Sequence, residues 1–510
     1  MTVSPGRVSL IGAGPGDPGL ITTRGARLLA QADVVVYDDA VEPSLRWARP
    51  DAERIAVGSI GDEDTAQTAI SMLLAEKARE GLSVARLMWG DPFVFDSGGR
   101  DAMFLRDQHI PFEIVPGVPA AIGSSAYAGI PITYPGAGDA VVLLRGQERL
   151  AARVPDVDWA ALARLDGTIA SFTRGTAAGA ILRKLTAAGL PGDTPVALVR
   201  HGTRPSQDTC SATLATMAEA LADGADHEGL LVIGKVTGLR DHLRWFDDRP
   251  LFGRRIVVTR STEQAPELVE SLEALGAQAV QAPTIRIVAA EDPEALDRAA
   301  AGIDEYDWVV IESAGAATRL LTALTRGPRD LRALGRVAIC ALGPSTADRL
   351  AAMGIRADVV APEVGAERLC DAMSQFAPID GRRVLVVRPD VLRDVVPQEL
   401  TRQGATVTDL VAYRTEPVPP DAPRTQALYR QLLEGHVDAV TFTSPTALRQ
   451  FAVMIGEEQA VDLLNTTTVV TIGPVTAAAA LEMGVQAPIV PAAYTVGGLI
   501  DAIRDHFRRR

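Results

Sequence analysis

Short runs of β-branched and aliphatic residues alternate with Ala- and Leu-rich amphipathic stretches along the whole chain. The run ADVVVYD at 32–38 is followed by LLAEKARE at 73–80 and then by SVARLMW at 83–89. Strand-like runs that alternate with helical patterns of this kind are typical of parallel βα units. We therefore predict the α/β class, with small parallel sheets flanked by helices.

The pattern breaks near the middle of the chain. The segment DHLRWFDDRPLFG, at 241–253, is rich in charge and contains Pro and Gly, and GRRIVVTR, at 253–260, then starts a new strand. A change of composition of this kind marks a domain boundary. We predict an N-terminal domain at 1–240, a linker at 241–252 and a C-terminal domain at 253–510.

The C-terminal domain contains an internal repeat with a spacing of about 130 residues. GRRIVVTR, which ends at Arg260, recurs as GRRVLVVR, which ends at Arg388, and ALGPSTADRLAAMG recurs as TIGPVTAAAALEMG. Such a repeat indicates two similar structural units. We predict two α/β lobes with a cleft between them, one formed by 253–287 with 416–510 and the other by 288–415.

In each copy of the repeat, strands end in small polar clusters that open helices. Helix N-termini beyond the carboxyl ends of parallel strands present unpaired N–H groups, and ligands bind there in open α/β sheets. The candidate binding residues are the hydroxyl residues of these turns: Ser313, Ser345, Thr346, Thr443, Ser444 and Thr476. The alternative interpretation is that each hydroxyl only caps its helix.

Charge and composition narrow the class of protein. The net charge of -14 over 510 residues disfavours binding to nucleic acid or to a membrane surface, which needs excess Lys and Arg. Three Cys without C-x-x-C spacing and six His without ligand spacing predict neither a disulfide framework nor a metal site. Because neither a signal peptide nor an apolar run of membrane-spanning length is visible, we expect a soluble cytoplasmic protein.

The C-terminal domain resembles the uroporphyrinogen-III synthases. The resemblance rests on the order and spacing of IVVTR, two GPxTA segments, LVAYRTEP at 410–417 and TFTSP at 441–445. It implies a bilobal enzyme without a cofactor that closes the linear tetrapyrrole hydroxymethylbilane into uroporphyrinogen III, with loss of water and inversion of the last pyrrole ring. An electron-rich pyrrole expels hydroxide once an acid assists, so the main task of the protein is to position the substrate.

The same resemblance assigns roles to individual residues. Tyr413 matches the family tyrosine proposed to assist the leaving hydroxyl, and a packed aromatic is the alternative. Arg260 and Arg388 lie at equivalent strand ends, where they contact substrate acetate or propionate groups or else form structural ion pairs. The helix starts suit the many carboxylates of the substrate. Glu312 stands where Thr is common, and a carboxylate there would repel substrate unless it is paired.

The N-terminal domain resembles the uroporphyrinogen-III C-methyltransferases. The resemblance rests on the G-x-G-P-G-D loop, on RLMWGDPFVF at 86–95 and on FEIVPGVPAAIGSSAYAGIP at 112–131. It places a catalytic base at Asp38. It implies a tetrapyrrole loop that consists of Gly12, Gly14, Pro15, Gly16 and Asp17. The implied S-adenosylmethionine site consists of Gly90, Asp91, Pro92, Ala120 and Thr173.

Three departures from the methyltransferase pattern fall in the cofactor motifs. Trp89 stands where glycine is usual, Pro119 replaces a hydroxyl residue, and Thr173 replaces a methionine after the first strand of the second subdomain. An indole where backbone approaches the ligand predicts crowding. We therefore expect a synthase fused to a methylase-like half of doubtful activity, with a small-molecule tetrapyrrole as its partner. The resemblance also suggests a homodimer through that half.

Two alternatives stay open beside that interpretation. One is a fully bifunctional synthase and methyltransferase that feeds sirohaem or corrinoid synthesis. The other is a non-enzymatic bilobal tetrapyrrole sensor, although the sequence contains no basic helix-turn-helix pattern.

Overall fold

The computed structural model describes residues 6–59, 63–145, 147–148, 151–152, 154–174, 176–221, 228–327, 329–361, 366–390 and 395–508. The chain forms two compact units. The first comprises Met1–Arg254 with Leu272–Gln278, and the second comprises Arg255–Ser271 with Ala279–Arg510. Within the described ranges, no helix is long and apolar enough to cross a membrane. Short 3-10 helices lie at Pro18–Leu20, Asp39–Trp47, Val57–Ser59, Lys235–Leu239, Ile303–Glu305 and Leu331–Leu334.

The first unit begins with a parallel five-stranded sheet in the order β3-β2-β4-β1-β5. Its strands are β1 (Val8–Gly12), β2 (Val34–Tyr37), β3 (Glu53–Ala56), β4 (Val84–Met88) and β5 (Phe112–Val115). The accompanying helices are α1 (Thr23–Leu29), α2 (Glu63–Arg79), α3 (Gly98–Asp107) and α4 (Ala120–Tyr127). Apolar clusters cover both faces of this sheet, which explains why β1 and β4 are buried along their whole length.

The rest of the first unit is a mixed sheet. It contains β6 (Ala140–Leu144), β9 (Gly167–Thr173), β10 (Pro195–Arg200), β11 (Asp208–Thr213) and β12 (Gly229–Ile233), beside the short pair β7 (Gln147–Glu148) and β8 (Ala151–Ala152). Its helices are α5 (Trp159–Ala163), α6 (Ala177–Ala187), α7 (Leu214–Ala220) and α8 (Arg240–Leu243). In the order β11-β10-β12-β9-β6, the pair β6 and β9 is parallel and the other pairs are antiparallel. The antiparallel pairs differ from the parallel pairing that the pattern predicts. For β10 and β11 the reason is the turn 201–207, which is too short for a parallel crossover.

The second unit contains two sheets. Its strands are β13 (Arg255–Val258), β14 (Gln278–Gln281), β15 (Ile285–Val288), β16 (Trp308–Ile311), β17 (Ala338–Leu342), β18 (Val359–Ala361), β19 (Arg383–Pro389), β20 (Thr406–Pro417), β21 (Ala439–Phe442) and β22 (Thr468–Thr471). Its helices are α9 (Pro266–Ala274), α10 (Glu294–Ala301), α11 (Ala314–Arg326), α12 (Pro344–Ala352), α13 (Ala366–Phe376), α14 (Val395–Arg402), α15 (Pro423–Leu433), α16 (Pro445–Ile455), α17 (Glu457–Asn465), α18 (Pro474–Met483) and α19 (Val496–Arg508).

One of these sheets has the order β14-β13-β21-β22, and we call it, with its helices, the four-stranded lobe. The other has the order β15-β20-β19-β16-β17-β18 and forms the six-stranded lobe. The six-stranded sheet is parallel except for the edge pair β15 and β20, which is antiparallel. Alternate residues of β16 enter two different apolar clusters, so this sheet is covered on both faces.

The repeated motifs lie at equivalent places in the two lobes. The order β13-β21-β22 in one sheet corresponds to β19-β16-β17 in the other. The four strands β16, β17, β21 and β22 each run directly into a helix, namely α11, α12, α16 and α18. The four turns that the sequence analysis singles out therefore open helices at the carboxyl ends of parallel strands.

Candidate functional site

Tyr413 and Ser313 come together in the six-stranded lobe. Tyr413 lies near the end of β20 and is only 8% exposed. Its hydroxyl lies 3.1 Å from Ser313 Oγ, at hydrogen-bond distance. Ser313 is the N-cap of α11 and accepts a hydrogen bond from the Ala316 backbone N–H at 3.1 Å. Two residues that are a hundred positions apart in sequence thus share one polar contact at a helix start.

The surroundings of Tyr413 keep its phenol protonated. Burial raises the pKa of Tyr413 above its usual value, and the charge of Glu263 acts in the same direction. The Ser313 hydrogen bond and the positive charge of Arg319 oppose this rise in pKa. Because the net direction is upward, the hydroxyl is available as a proton donor at neutral pH.

Glu263 and Arg319 form an ion pair beside this tyrosine, and the sequence analysis missed both. Arg319 Nη2 donates to Glu263 Oε1 at 2.9 Å, and the guanidinium carbon lies 4.5 Å from the centre of the Tyr413 ring. Neither residue belongs to a repeated motif. No local sequence signal connects them, since they meet only through the packing of the two lobes of this unit.

The other predicted helix starts are in place but differ in accessibility. Ser444 is the N-cap of α16 and accepts from the Ala447 N–H at 3.1 Å, as Ser313 does for α11. Thr346 and Thr476 are buried in the first turns of α12 and α18, Thr443 is partly buried, and Ser345 is exposed. The capping interpretation therefore holds for Ser313 and Ser444, although each hydroxyl keeps a proton to donate.

Arg260 and Arg388, which are equivalent in sequence, have opposite environments. Arg388 is 6% exposed and makes a bidentate ion pair with Asp409, with both N···O distances at 2.7 Å. Arg260 is half-buried, and its Nε is buried without a hydrogen-bond partner in the described part of the chain. Burial lowers the pKa of Arg260, and the nearby Glu267 offsets this only in part. Arg260 is thus a desolvated cation, and a carboxylate ligand would offset the free-energy cost of its desolvation.

Glu312, which departs from the synthase pattern, is also withdrawn from solvent. It directly follows β16 and is 6% exposed. Its backbone N–H donates to Val387 O at 3.1 Å, which ties this turn to β19. The carboxylate that we expected to repel substrate therefore belongs to the interior of the lobe.

Three glycines of the N-terminal unit pack backbone against backbone. A Cβ on Gly12 would lie 2.6 Å from the Gly117 nitrogen, and one on Gly117 would lie 2.2 Å from the Gly90 oxygen. Gly14 and Gly90 also exchange two backbone hydrogen bonds, of 3.2 and 2.9 Å. Gly12, which ends β1, and Gly117, in the loop after β5, therefore leave no room for a side chain, whether or not a ligand is bound.

The acidic residues of these loops act as organisers. The Asp17 carboxylate accepts from Gly19 N–H at 2.7 Å and from the Tyr127 hydroxyl at 2.8 Å. The Asp91 carboxylate accepts from Phe93 N–H at 2.8 Å and from Gly117 N–H at 3.0 Å. Pro15 and Gly16 lie between these contacts, in the predicted tetrapyrrole loop.

Asp38, the predicted base, belongs to a buried charge cluster. It accepts from Arg86 Nη2 at 2.5 Å and from Trp89 N–H at 3.1 Å. Arg86 is 2% exposed, and the carboxyls of Asp96 and Asp101 lie nearby. Burial, with the charge of Asp38, raises the pKa of Asp96 to about 7. Among the residues that the structure describes, no group of His, Cys, Asp or Glu is arranged to hold a metal ion.

The predicted cofactor residues fit S-adenosylmethionine only in part. Gly90 adopts a positive φ of 68°, which favours glycine, and lies against Ala120, and both Gly90 and Pro92 of the same loop are buried. The Trp89 indole instead donates to Pro15 O at 2.9 Å and packs edge-on to Phe172 at 4.7 Å. Its volume occupies the contact between the two sheets of this unit.

Thr173 does not lie where the sequence analysis placed it. It ends β9, which follows β6, β7 and β8, so it comes well after the first strand of the second subdomain. The side chain is fully buried and its hydroxyl donates to Gly229 O at 3.2 Å on β12. This hydroxyl therefore holds two neighbouring strands together.

Arg204 is a further residue that the sequence analysis missed. It lies in the turn after β10, where the neighbouring Thr203 adopts a positive φ of 69° and accepts from the Asp17 N–H at 3.0 Å. Its guanidinium donates to Ala40 O at 2.5 Å and lies beside Gly16. Burial lowers the pKa of Arg204, and no ion pair with a described carboxylate offsets this. Like Arg260, Arg204 is thus a desolvated cation, and it borders the predicted tetrapyrrole loop.

Comparison with known proteins gives matches for both units. The family model described as Uroporphyrinogen-III synthase HemD matches residues 266–501, and that described as Tetrapyrrole (Corrin/Porphyrin) Methylases matches residues 7–218. The chain is 32% identical over 501 residues to the porphyrin biosynthesis protein HemD of Ruminiclostridium josui, which covers 98% of this chain and 97% of that protein.

Two further relatives match about half of this chain. The siroheme synthase of Neisseria meningitidis serogroup B is 44% identical over 245 residues, 48% of this chain and 50% of that protein. The chain thus spans about half the length of that relative. A uroporphyrin-III C-methyl transferase of Thermus thermophilus, solved complexed with S-adenyl homocysteine, is 32% identical over 46% of this chain and 100% of that chain, with a TM-score of 0.40.

The two α/β units and the two family matches define an enzyme of tetrapyrrole biosynthesis, with a tetrapyrrole methylase domain followed by a uroporphyrinogen-III synthase domain. The fusion that the sequence motifs predict is therefore confirmed. The chain belongs to the family of the porphyrin biosynthesis protein HemD.

Proposed function

We propose that the C-terminal unit closes hydroxymethylbilane into uroporphyrinogen III and that Tyr413 donates the proton that the departing hydroxyl needs. The hydrogen bond between Tyr413 and Ser313 carries this proposal, because it fixes a phenol at a helix start beyond the carboxyl ends of the sheet. A buried phenol with a raised pKa remains protonated at neutral pH and is able to act as a general acid.

The reaction balances without an external reactant. The pyrrole that carries the hydroxymethyl group breaks its C–O bond while Tyr413 transfers its proton to the oxygen, and water leaves. The last pyrrole ring then attacks the electron-poor carbon through a spiro intermediate, which rearranges with inversion of that ring. The proton that is lost when the ring regains its aromatic form converts the Tyr413 phenolate back into the phenol.

Substrate carboxylates would meet Arg260 and the helix starts. Arg260 has no ion pair among the described residues, and the N-termini of α11, α12, α16 and α18 add positive potential that an acidic protein otherwise lacks. We assign substrate contact to Arg260 and to the hydroxyl residues of the turns. We assign a structural role to Arg388, because Asp409 already pairs with it.

For the N-terminal unit we propose a tetrapyrrole-binding, methylase-like domain that binds S-adenosylmethionine weakly. The position of the Trp89 indole supports weak binding, and we derive no methyl-transfer step. A working methyltransferase is the second candidate, which the retained Asp38 and Gly90 favour. Arg204 is then expected to meet a carboxylate of the macrocycle. Domain limits of 1–240 and 253–510, a cytoplasmic location and a homodimer through the N-terminal half belong to the same proposal.

The experiment supplies hydroxymethylbilane, made enzymatically, to the full chain and follows the isomers of uroporphyrinogen. We expect Tyr413→Phe to lower kcat by about 10 to 100-fold, the range for loss of an assisting acid, without a change in Tm. Tyr306→Phe is the matched control. The Tyr306 ring is also covered by an arginine, Arg383, but Tyr306 does not take part in the Ser313 contact. An unaltered rate of type III formation by Tyr413→Phe would make Tyr413 a packing residue.

A further inference from the structure

The hydroxyl end of Tyr413 is enclosed by groups from both lobes of the second unit. Arg319 on α11 covers the face of the Tyr413 ring at 4.5 Å. Its Nη1 donates to Gly315 O at 3.1 Å, and its Nη2 donates to Glu263 Oε1 at 2.9 Å. Glu263 follows β13 in the four-stranded lobe, whereas Arg319 and Tyr413 belong to the six-stranded lobe. The guanidinium is therefore held at three points, one of them on the other lobe.

The start of α11 is shaped for this approach. A Cβ on Gly315 would lie 3.0 Å from Glu263 Oε2 and 3.1 Å from the Tyr413 hydroxyl oxygen. Any larger residue would therefore force one of these two groups to move. Glycine at this position lets a carboxylate from one lobe and the phenol of the other reach the same point.

Stability alone does not account for this ion pair. The Arg319 and Glu263 side chains are 28% and 43% exposed, and pairs with that exposure contribute little to folding. A guanidinium that is stacked on an aromatic face and held by a carboxylate does, however, fix the orientation of the ring. The effect of the pair should therefore appear in the placement of Tyr413.

We propose that Arg319, held by Glu263 across the two lobes, is a positioning residue that fixes the Tyr413 hydroxyl for proton donation. The inference rests on the proposed role of Tyr413. It has a structural consequence: the guanidinium that covers Tyr413 is held at all three points only while the two lobes are together. Premature loss of hydroxide from a substrate that is only partly enclosed would thereby be avoided.

The kinetic test compares Arg319→Met, Arg319→Lys and Glu263→Gln in the full chain. We expect Arg319→Met to lower kcat by about 10 to 100-fold, with KM changed less than about threefold, because a displaced donor slows the chemical step. Glu263→Gln should lower kcat by roughly 3 to 10-fold, since the stacking stays. Arg349→Met is the control, because Arg349 lies on the neighbouring α12 and donates to Thr318. A rise in KM with unchanged kcat for Arg319→Met would overturn the proposal and make Arg319 a substrate-binding residue.

A second measurement separates positioning from general damage. Tyrosine labelled with ¹³C at Cζ, with the Tyr413 signal assigned by Tyr413→Phe, reports ionisation of the phenol. Since Arg319 lowers and Glu263 raises the pKa of Tyr413, Arg319→Met should move this pKa up and Glu263→Gln should move it down. Equal pKa values in both variants would refute the positioning role. If the pKa shifts appear but Tyr413→Phe is fully active, the proposed function fails while the contact geometry stands.

Discussion

Arg260 and Arg388 offer a contrast between two arginines with the same place in the repeat. Arg388 is buried and paired with Asp409, whose side chain is 33% exposed. Removal of one partner of a fully buried pair costs about 3 to 5 kcal/mol. Because Asp409 remains partly in water, we expect Arg388→Met to cost about 2 to 3 kcal/mol. For a unit of this size that corresponds to a fall in Tm of roughly 5 to 10 °C.

Arg260→Met should behave in the opposite way. Removal of a half-buried cation without an ion pair should leave Tm unchanged or slightly higher. Loss of a charge-assisted hydrogen bond to a substrate carboxylate, worth about 1.5 to 3 kcal/mol, should raise KM by about 10 to 100-fold. Calorimetric unfolding and the isomer assay measure the two effects separately.

Two controls make this contrast decisive. Arg388→Met combined with Asp409→Leu removes both charges, so it should recover most of the lost stability. Arg260→Lys keeps the charge and should recover part of the KM. The reasoning is refuted if Arg260→Met lowers Tm as much as Arg388→Met does while KM stays unchanged.

Two further predictions concern the N-terminal unit. Because the folded pKa of Asp96 is about 7 against an ordinary 3.8, its ionisation destabilises the fold as pH rises from about 4 to 7. That difference in pKa is equivalent to about 4 kcal/mol, which partial exposure of the carboxyl reduces to roughly 2 kcal/mol. Asp96→Asn should therefore raise Tm at pH 8 but not at pH 4. Equal increases in Tm at both pH values would contradict this. Trp89→Gly should tighten S-adenosylmethionine binding at least about tenfold by calorimetric titration, and Pro119→Thr should add to it. Tight binding by the unaltered chain would instead favour a working methyltransferase.

Local features of the second unit could be predicted from sequence, whereas contacts between its elements could not. The strands, the helix starts at Ser313 and Ser444, and the placement of the repeat follow from periodicity and capping residues. The different environments of Arg260 and Arg388 do not, because Arg388 pairs with Asp409 of the neighbouring β20, whereas the equivalent strand beside β13, β14, has Gln281 at the corresponding position. The pairing of Glu263 with Arg319 likewise depends on how the lobes pack.

The glycine motifs of the first unit show a different limit. The sequence motifs assign Gly12 to a tetrapyrrole loop, yet Gly12 and Gly117 are already required by backbone neighbours. The presence of these glycines therefore indicates the fold, but it does not indicate whether the domain binds the cofactor. The antiparallel pairing of β10 and β11 was not predicted, because their pattern of hydrophobic residues resembles that of parallel strands. Only the short turn between them determines that they pair antiparallel.

The antiparallel pair of β15 and β20 bears on how the chain is made. Ile285 pairs with Pro417 and Val288 with Arg414, so the chain enters and leaves the six-stranded lobe side by side. That lobe is complete once the ribosome has passed residue 417, whereas β13 must wait for β21 at 439–442 to gain its second neighbour. Since domains fold as units during synthesis, the inserted lobe is expected to fold first, while β13 and β14, which precede it, wait until β21 has been synthesised.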